Sequence, residues 1–334
     1  MSRPPAQRPR PAAARGYNCP MPWGLIILLA IGLGVLWAGV SIYTAWLLTH
    51  PPRRSYAWAV SRGMPGDPGE LASPLEFTSW TLSSGGMSLP VWDVRGQRAS
   101  GPVIIVTHGW ADSRIVMLGR VGELAALASR VLVWDLPGHG DGPGMCSLGV
   151  HEPVHLRALI LAARAQEPIV LYGFSLGAGV SIAAAAGEPG TPGSGVVGVV
   201  GVIAEAPYRT ARVPARNVLR LRGLPYQATL GPALGLIGVR VGRELRSAEF
   251  DRARMASRLP ADVRLLVIHC EDDAVCPVDD ARAIAAAAYG AELVIVPAGD
   301  HTGLWSKPGS RDACRDAVSG FIARLNAATG AVAR

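Results

Sequence analysis

The chain has 334 residues, enough for one or two ordinary domains with a full apolar core. Hydrophobic residues make up 49% and charged residues 17%, and the mean hydropathy is +0.26, which excludes a disordered or fibrous protein. The net charge of +7 does not indicate a nucleic-acid-binding protein, because most arginines are scattered and no basic run alternates with aromatic residues.

The first predicted element is an apolar helix at residues 23–48, which contain no charged side chain. At about 1.5 Å per residue it is long enough to cross a hydrocarbon core of about 30 Å. Trp23 at one end and Tyr43 and Trp46 at the other resemble the aromatic residues of membrane interfaces. We therefore expect an uncleaved transmembrane helix. The alternative is a cleaved signal peptide, whose apolar region is typically shorter, at about 7–15 residues.

The charges beside this span predict its orientation. Residues 1–22 form a basic tail with four arginines and no acidic residue, against three arginines soon after the span. This excess predicts a cytoplasmic N-terminus and an extracytoplasmic body. The one apolar span predicts a single-pass membrane protein with membrane lipid as a partner. The body contains an even number of cysteines, which permits disulfides without requiring them: Cys146, Cys270, Cys276 and Cys314. Their spacing matches no metal motif, so neither a metal nor a cofactor is predicted.

After a linker at residues 49–74, rich in proline and glycine, residues 75–328 are predicted to form one domain. Two strands joined by a turn come first, and apolar runs then alternate with helical segments. The predicted strands are 77–82, 89–94, 103–107, 131–134, 169–172, 196–204, 264–269 and 292–296. The predicted helices are 113–129, 151–166, 176–186, 279–289 and 311–326. This alternation is typical of an α/β fold, a mostly parallel sheet with helices on both faces and its functional site at the carboxyl ends of the strands.

Residues 208–258 interrupt this alternation. They contain eleven arginines, three prolines and an apolar run at 230–241. As an insertion between two strands, the segment predicts a small helical cap over the functional edge of the sheet. An excursion that only covers the sheet is the alternative.

A serine follows the strand predicted at 169–172, within the sequence Gly-Phe-Ser-Leu-Gly, and a helix begins directly after it. In this strand–turn–helix context the pattern Gly-x-Ser-x-Gly strains the serine and exposes its hydroxyl. Side chains at Gly173 and Gly177 would clash with the neighbouring strand and helix. Ser175 is therefore the candidate nucleophile.

A serine hydroxyl needs a base, and the base needs an acid to orient it. His301 is the one histidine that follows a late strand, and it is the candidate base. The acid is predicted at Asp273, in the loop after the strand at 264–269, with Asp272 as the fallback. Glu205, at the end of an earlier strand, is a third candidate. We interpret Glu271 and Asp272 as solvated acids of that loop.

Two backbone N–H groups are needed where negative charge develops on a carbonyl oxygen. Leu176, directly after the nucleophile, and Trp110, in the loop after the strand at 103–107, are the candidate donors of this oxyanion hole. Gly109 lets that loop approach closely. We interpret His108 as a structural residue that holds the loop through hydrogen bonds.

Residues 76–325 resemble a serine hydrolase of the α/β-hydrolase superfamily, most similar to its lysophospholipase/monoacylglycerol-lipase-like branch. The matching motifs are 108–110, 135–140, the turn around Ser175, the loop 269–277 and 299–301. The resemblance implies the α/β-hydrolase fold, places the acid at Asp273 and makes residues 135–140 a structural turn. Cys270 stands where the family usually has glycine. The serine nucleophile differs from the aspartate of the haloalkane dehalogenase and epoxide hydrolase relatives.

The resemblance and the apolar helix together predict a membrane-anchored serine hydrolase. Its expected substrate is a small-molecule carboxylic ester with a lipid-like or otherwise hydrophobic acyl group. Two alternatives stay open. A serine peptidase uses the same constellation on amides, and a non-catalytic anchored module could keep the fold for binding.

Overall fold

The structure, a computed structural model, describes residues 23–187, 196–297 and 299–332, so the basic tail predicted at 1–22 lies outside the described residues. The chain divides into two compact units, Met1–Gly39 and Val40–Arg334. Helix α1 (Trp23–Thr49) is long and apolar enough to cross a membrane, in the place where the span at 23–48 is predicted. A signal sequence near an N-terminus also meets this criterion of length and composition.

One eight-stranded sheet organises the second unit, in the order β1-β2-β4-β3-β5-β6-β7-β8. The strands are β1 (Phe77–Ser84), β2 (Met87–Arg95), β3 (Val103–Thr107), β4 (Arg130–Trp134), β5 (Ile169–Phe174), β6 (Val199–Glu205), β7 (Arg264–Cys270) and β8 (Glu292–Val296). Strands β3 to β8 are parallel, and β2 pairs antiparallel with both β1 and β4. The mostly parallel sheet predicted from the alternating pattern is confirmed.

Helices cover both faces of this sheet. They are α2 (Tyr56–Val60), α3 (Leu118–Ala125), α4 (Glu152–Ala162), α5 (Leu176–Ala186), α6 (Arg212–Leu221), α7 (Tyr226–Val241), α8 (Arg252–Ala256), α9 (Val278–Ala287) and α10 (Pro308–Val332). Because side chains alternate along a strand, Val103 and Ile105 of β3 face one core, which includes α4, α5 and α9. Ile104 and Val106 face the other, which includes α3 and α10. All residues of β3 and β5 are buried, so these two central strands have no exposed face.

The helix predicted at 113–129 is shorter in the structure, because its first residues make hydrogen bonds to distant segments of the chain. The Ser113 hydroxyl donates to the Arg54 carbonyl (2.7 Å), and the Arg114 N–H donates to Asp135 Oδ1 (2.7 Å). These bonds hold the loop after β3 against neighbouring segments, and α3 begins only at Leu118. The linker also contains the unpredicted helix α2, whose N-cap Ser55 accepts a hydrogen bond from the Trp58 N–H.

The segment at 208–258 contains α6, α7 and α8 between β6 and β7. Its apolar side chains, among them Leu219, Leu230 and Leu234, join the core that includes α4 and α5. Their burial ties this segment to the carboxyl edge of the sheet, where the loops after the strands meet.

Candidate active site

Four loops at the carboxyl edge of the sheet carry the predicted site residues. They follow β3, β5, β7 and β8, which together with β6 form a run of five adjacent strands in the sheet. The parallel strands bring these four strand ends to the same edge, although Trp110 and His301 are 191 residues apart in sequence.

The serine turn joins β5 to α5 in a conformation that requires its glycines. Ser175 has φ 51° and ψ −110°, a strained backbone for a side-chain-bearing residue. A Cβ on Gly173 would lie 2.2 Å from the Gly177 carbonyl oxygen, and one on Gly177 would lie 2.1 Å from the Thr107 carbonyl oxygen. The Ser175 N–H donates to the Glu205 carbonyl on β6 (2.8 Å). The turn therefore fits only with glycine on both sides.

The structure brings Ser175, His301 and Asp273 together. His301 Nε2 lies 3.0 Å from Ser175 Oγ, and His301 Nδ1 lies 2.7 Å from Asp273 Oδ2. The Asp273 side chain is fully buried, and its Oδ1 accepts from the N–H groups of Val275 and Cys276, each at 2.7 Å. With Asp273 as the acceptor, His301 carries its proton on Nδ1 and presents Nε2 to the serine as a base.

The other candidate acids are placed differently. The Asp272 side chain is exposed, and Glu271 is an exposed partner of Arg282 at 3.0 Å. Glu205 is buried, and its carboxylate is bound by Arg120 and by the Tyr172 hydroxyl. Of the four acids considered, Asp273 is the one that contacts His301.

The candidate oxyanion donors lie beside Ser175. Leu176 is the first residue of α5, so its N–H has no acceptor within the helix. Trp110 and Leu176 line the same cavity as Ser175 and His301. A Cβ on Gly109 would lie 2.9 Å from the Phe174 ring, so glycine is what lets the loop after β3 approach the serine strand.

His108 joins two loops behind the site. Its Nε2 accepts from the Leu136 N–H (3.0 Å), so Nδ1 carries the proton and donates to the Gly109 carbonyl (2.7 Å). Burial lowers the pKa of His108 well below its usual value, which keeps the ring neutral. The ring fixes the loop after β3 against the turn after β4, where Asp135 is buried among Arg114 and two backbone N–H groups.

Sequence reasoning missed two neighbours of the triad. The Cys276 side chain is buried directly after the acid, its N–H donates to Asp273 Oδ1, and burial raises the pKa of its thiol well above its usual value. His269 is buried against the acid, with its Nε2 3.7 Å from Asp273 Oδ2. In the sequence, only their positions close to Asp273 indicate that these two residues lie near the site.

One set of donor atoms has the spacing of a metal site. Single atoms of His269, Cys270 and Asp273 lie within 4.8 Å of one another. Both Asp273 oxygens already accept hydrogen bonds, and burial raises the pKa of Cys270 to about 11, which keeps the thiol protonated. These residues fit a hydrogen-bonded carboxylate better than a metal ligand set. Cys146, Cys270, Cys276 and Cys314 are free thiols in the described part of the chain.

A cavity of about 110 Å³ opens beside Ser175 and His301, and every other residue that lines it is apolar or aromatic. Five of the lining residues come from the segment at 208–258, and one comes from the end of α1. The lining residues are Leu48, Trp110, Leu148, Ser175, Leu176, Tyr208, Ala211, Pro214, Ala215, Val218, Val275 and His301. Such a wall packs against a hydrocarbon group and offers few hydrogen-bond partners to a polar group.

A family model described as the alpha/beta hydrolase family matches residues 103–311, which is more than half of the chain. The match spans the loops that carry all of the candidate site residues. No curated protein matches the chain.

Several solved structures have the same fold. An esterase from Pyrococcus furiosus is 18% identical with a TM-score of 0.61, covering 83% of this chain and 98% of that one. Est1E from Butyrivibrio proteoclasticus, solved with ferulic acid bound, is 16% identical with a TM-score of 0.56, covering 74% and 99%. An esterase from Exiguobacterium antarcticum is 16% identical with a TM-score of 0.52, covering 73% and 98%. At these identities the likeness is one of fold.

Proposed function

This chain belongs to the alpha/beta hydrolase family, and from that premise we propose that it is a membrane-anchored serine hydrolase of carboxylic esters with hydrophobic acyl groups. The observation that carries the proposal is the His301 ring, hydrogen-bonded on one side to Ser175 and on the other to Asp273. Nucleophile, base and orienting acid in this order form the constellation that activates a serine hydroxyl.

The proposed reaction begins when Ser175 Oγ attacks the ester carbonyl and His301 Nε2 takes the serine proton. The carbonyl oxygen becomes negatively charged and is stabilised by the N–H groups of Trp110 and Leu176. His301 then protonates the departing alkoxide, which leaves as the alcohol. A water molecule, deprotonated by the same histidine, attacks the acyl-enzyme and releases the carboxylic acid. Asp273 keeps the imidazole in the required tautomer throughout.

The apolar cavity supports a hydrophobic acyl group, and the names of two structural neighbours support an ester. Helix α1 supports anchoring, and the arginines before it support an extracytoplasmic body, where lysophospholipase-like substrates would be membrane lipids. In this proposal residues 1–22 are the tail, 23–48 the transmembrane helix, 49–74 the linker and 75–328 the catalytic domain, with its cap at 208–258.

The test is a series of p-nitrophenyl esters together with a fluorophosphonate probe, applied to the full chain in detergent. We expect Ser175→Ala to abolish both hydrolysis and labelling. Ser181→Ala is the matched control, because Ser181 is a buried serine in the same helix α5 and lines no part of the cavity. Undiminished labelling of Ser175→Ala contradicts the proposal.

The peptidase alternative is tested with aminoacyl amides in parallel, and preference for them would replace the ester assignment. Protease accessibility on intact spheroplasts tests the orientation. A shielded body would place the domain on the cytoplasmic side.

A further inference from the structure

We propose that two residues at the end of the apolar helix and just after it belong to the active site: Leu48 sets the length of the acyl pocket, and Arg54 positions the oxyanion loop, residues 108–112. This inference rests on the proposed function and extends it to a part of the chain that the anchor role alone would not require.

The first observation is the burial of the helix end. Leu48 is 2% exposed and lines the cavity that contains Ser175 and His301. Leu47 and Thr49 beside it are also buried, within the unit Val40–Arg334. The apolar helix thus ends inside the catalytic unit, with one of its side chains in the substrate cavity.

The helix end also binds the oxyanion loop through its backbone. Helix α1 ends at Thr49, so the Leu48 carbonyl has no donor within the helix, and Pro52, four residues later, has no N–H to offer. The Trp110 indole Nε1–H donates to this free carbonyl at 2.8 Å. The same residue supplies the proposed oxyanion N–H, so the side-chain bond restrains the backbone donor.

Arg54 holds the other end of the loop. Its Nη1 lies 2.6 Å from Asp112 Oδ1, and the Asp112 side chain is only 5% exposed. The Asp112 N–H donates to the Gly109 carbonyl (3.2 Å), which closes the loop around the candidate donor. A carboxylate this deeply buried is stable when it is paired, and Arg54 is the arginine within ion-pair distance among the described residues. Removing the arginine leaves the carboxyl unpaired and lets the loop move.

The neighbouring Arg53 supplies a matched control. Its Nη1 donates to the carbonyls of Gly140 (3.1 Å) and Gly142 (2.9 Å), in a turn that does not line the cavity. Arg53→Ala therefore removes hydrogen bonds from the same segment without touching the oxyanion loop.

The test compares Arg54→Ala, Arg54→Lys and Arg53→Ala in the full chain, by kcat, KM, melting temperature and affinity for a trifluoromethyl ketone that mimics the tetrahedral intermediate. We expect Arg54→Ala to lower kcat about 10- to 100-fold with little change in KM. The affinity for the trifluoromethyl ketone should fall by a similar factor. Arg54→Lys should restore most of kcat, and Arg53→Ala should lower the melting temperature while kcat stays unchanged. Equal losses of kcat in Arg53→Ala and Arg54→Ala, or none in Arg54→Ala, would overturn the positioning role.

Leu48 is tested by acyl-chain selectivity, which a purely structural role would not shift. We expect Leu48→Ala to move the optimum of the p-nitrophenyl ester series to longer chains, and Leu48→Trp to move it to shorter ones. An unchanged optimum in both variants overturns the pocket role. Activity remaining in Ser175→Ala would instead refute the proposed function, so the two failures are distinguishable.

Discussion

The guanidinium of Arg120 binds both carboxylate oxygens of Glu205, with Nε 2.7 Å from Oε2 and Nη2 2.5 Å from Oε1. The Tyr172 hydroxyl donates to the same carboxylate, and the Glu205 side chain has no exposed surface. Glu205 ends a strand next to the serine turn, but its carboxylate is paired with Arg120 rather than with His301. The pair lies beside the turn that carries Ser175, whose N–H donates to the Glu205 carbonyl.

Glu205→Gln should therefore destabilise the protein and spare catalysis. The change leaves the buried Arg120 without its counter-charge, and we expect the free energy of unfolding to fall by about 3–5 kcal/mol, measured by denaturant titration. Glu271→Gln, which breaks the exposed pair with Arg282, should cost at most about 1 kcal/mol. If Glu205→Gln folded normally but lost its activity, Glu205 would return as the candidate acid.

Asp273→Asn should act on catalysis. An amide at this position no longer accepts the His301 Nδ1 proton as a carboxylate does, so the imidazole loses the tautomer that serves Ser175. We expect kcat to fall by about 10⁴-fold with KM nearly unchanged, measured on a p-nitrophenyl ester. The adjacent Asp272→Asn changes an exposed carboxylate and should leave both constants as they are. A larger loss in Asp272→Asn would move the acid to that position.

Gly177→Ala should prevent the serine turn from forming. The added methyl carbon would lie 2.1 Å from the Thr107 carbonyl oxygen, a backbone atom that cannot move without distorting β3. We expect a loss of about 3 kcal/mol or more in unfolding free energy, at the upper end of overpacking effects. Gly119→Ala is the control, because nothing lies within 4 Å of its Cβ position in α3, and it should stabilise by about 0.5–1 kcal/mol. A normally stable Gly177→Ala would contradict the close approach.

The buried His139 should make the protein sensitive to acid. Burial lowers its pKa to about 4, whereas an unfolded histidine titrates near pH 6.5. Between these values the unfolded chain binds a proton that the folded chain does not. The stabilisation present above pH 6.5 is therefore lost as the pH falls towards 4, by about 3 kcal/mol.

His139→Asn tests this, since an asparagine amide can replace the Nδ1–H bond to the Pro137 carbonyl (3.0 Å) without titrating. Denaturant titrations at pH 7 and pH 4 should show a smaller difference in unfolding free energy for the variant. An identical difference in both proteins would mean that other groups account for the acid sensitivity.

Much of the fold was predictable because strands buried on both faces are continuous apolar runs. The bounds predicted for β3, α5 and β8 match the structure, and the mostly parallel sheet follows from the alternation with helices. The helix expected at 113–129 was too long, because apolar periodicity cannot show that Ser113 and Arg114 make side-chain and backbone bonds to distant segments.

The site residues were predictable where the role of a residue follows from the strand that precedes it. They were less predictable where the role depends on contacts with residues distant in the sequence. Ser175 and His301 follow strands at the expected places, and the structure brings them together with Asp273. Glu205 was ambiguous because a strand end alone does not reveal that Arg120, 85 residues away, binds it. No spacing rule connects Leu48 to Trp110, whose indole donates to a carbonyl that the end of helix α1 leaves free.

The burial of Leu47, Leu48 and Thr49 also bears on how a soluble form of this protein should be cut. Truncation at His50, where the apolar stretch ends in the sequence, would remove core side chains and the acceptor of the Trp110 indole. The division between the two compact units falls ten residues earlier, after Gly39. A shortened chain that begins at Val40 would discard most of the apolar helix and retain Leu47, Leu48 and Thr49.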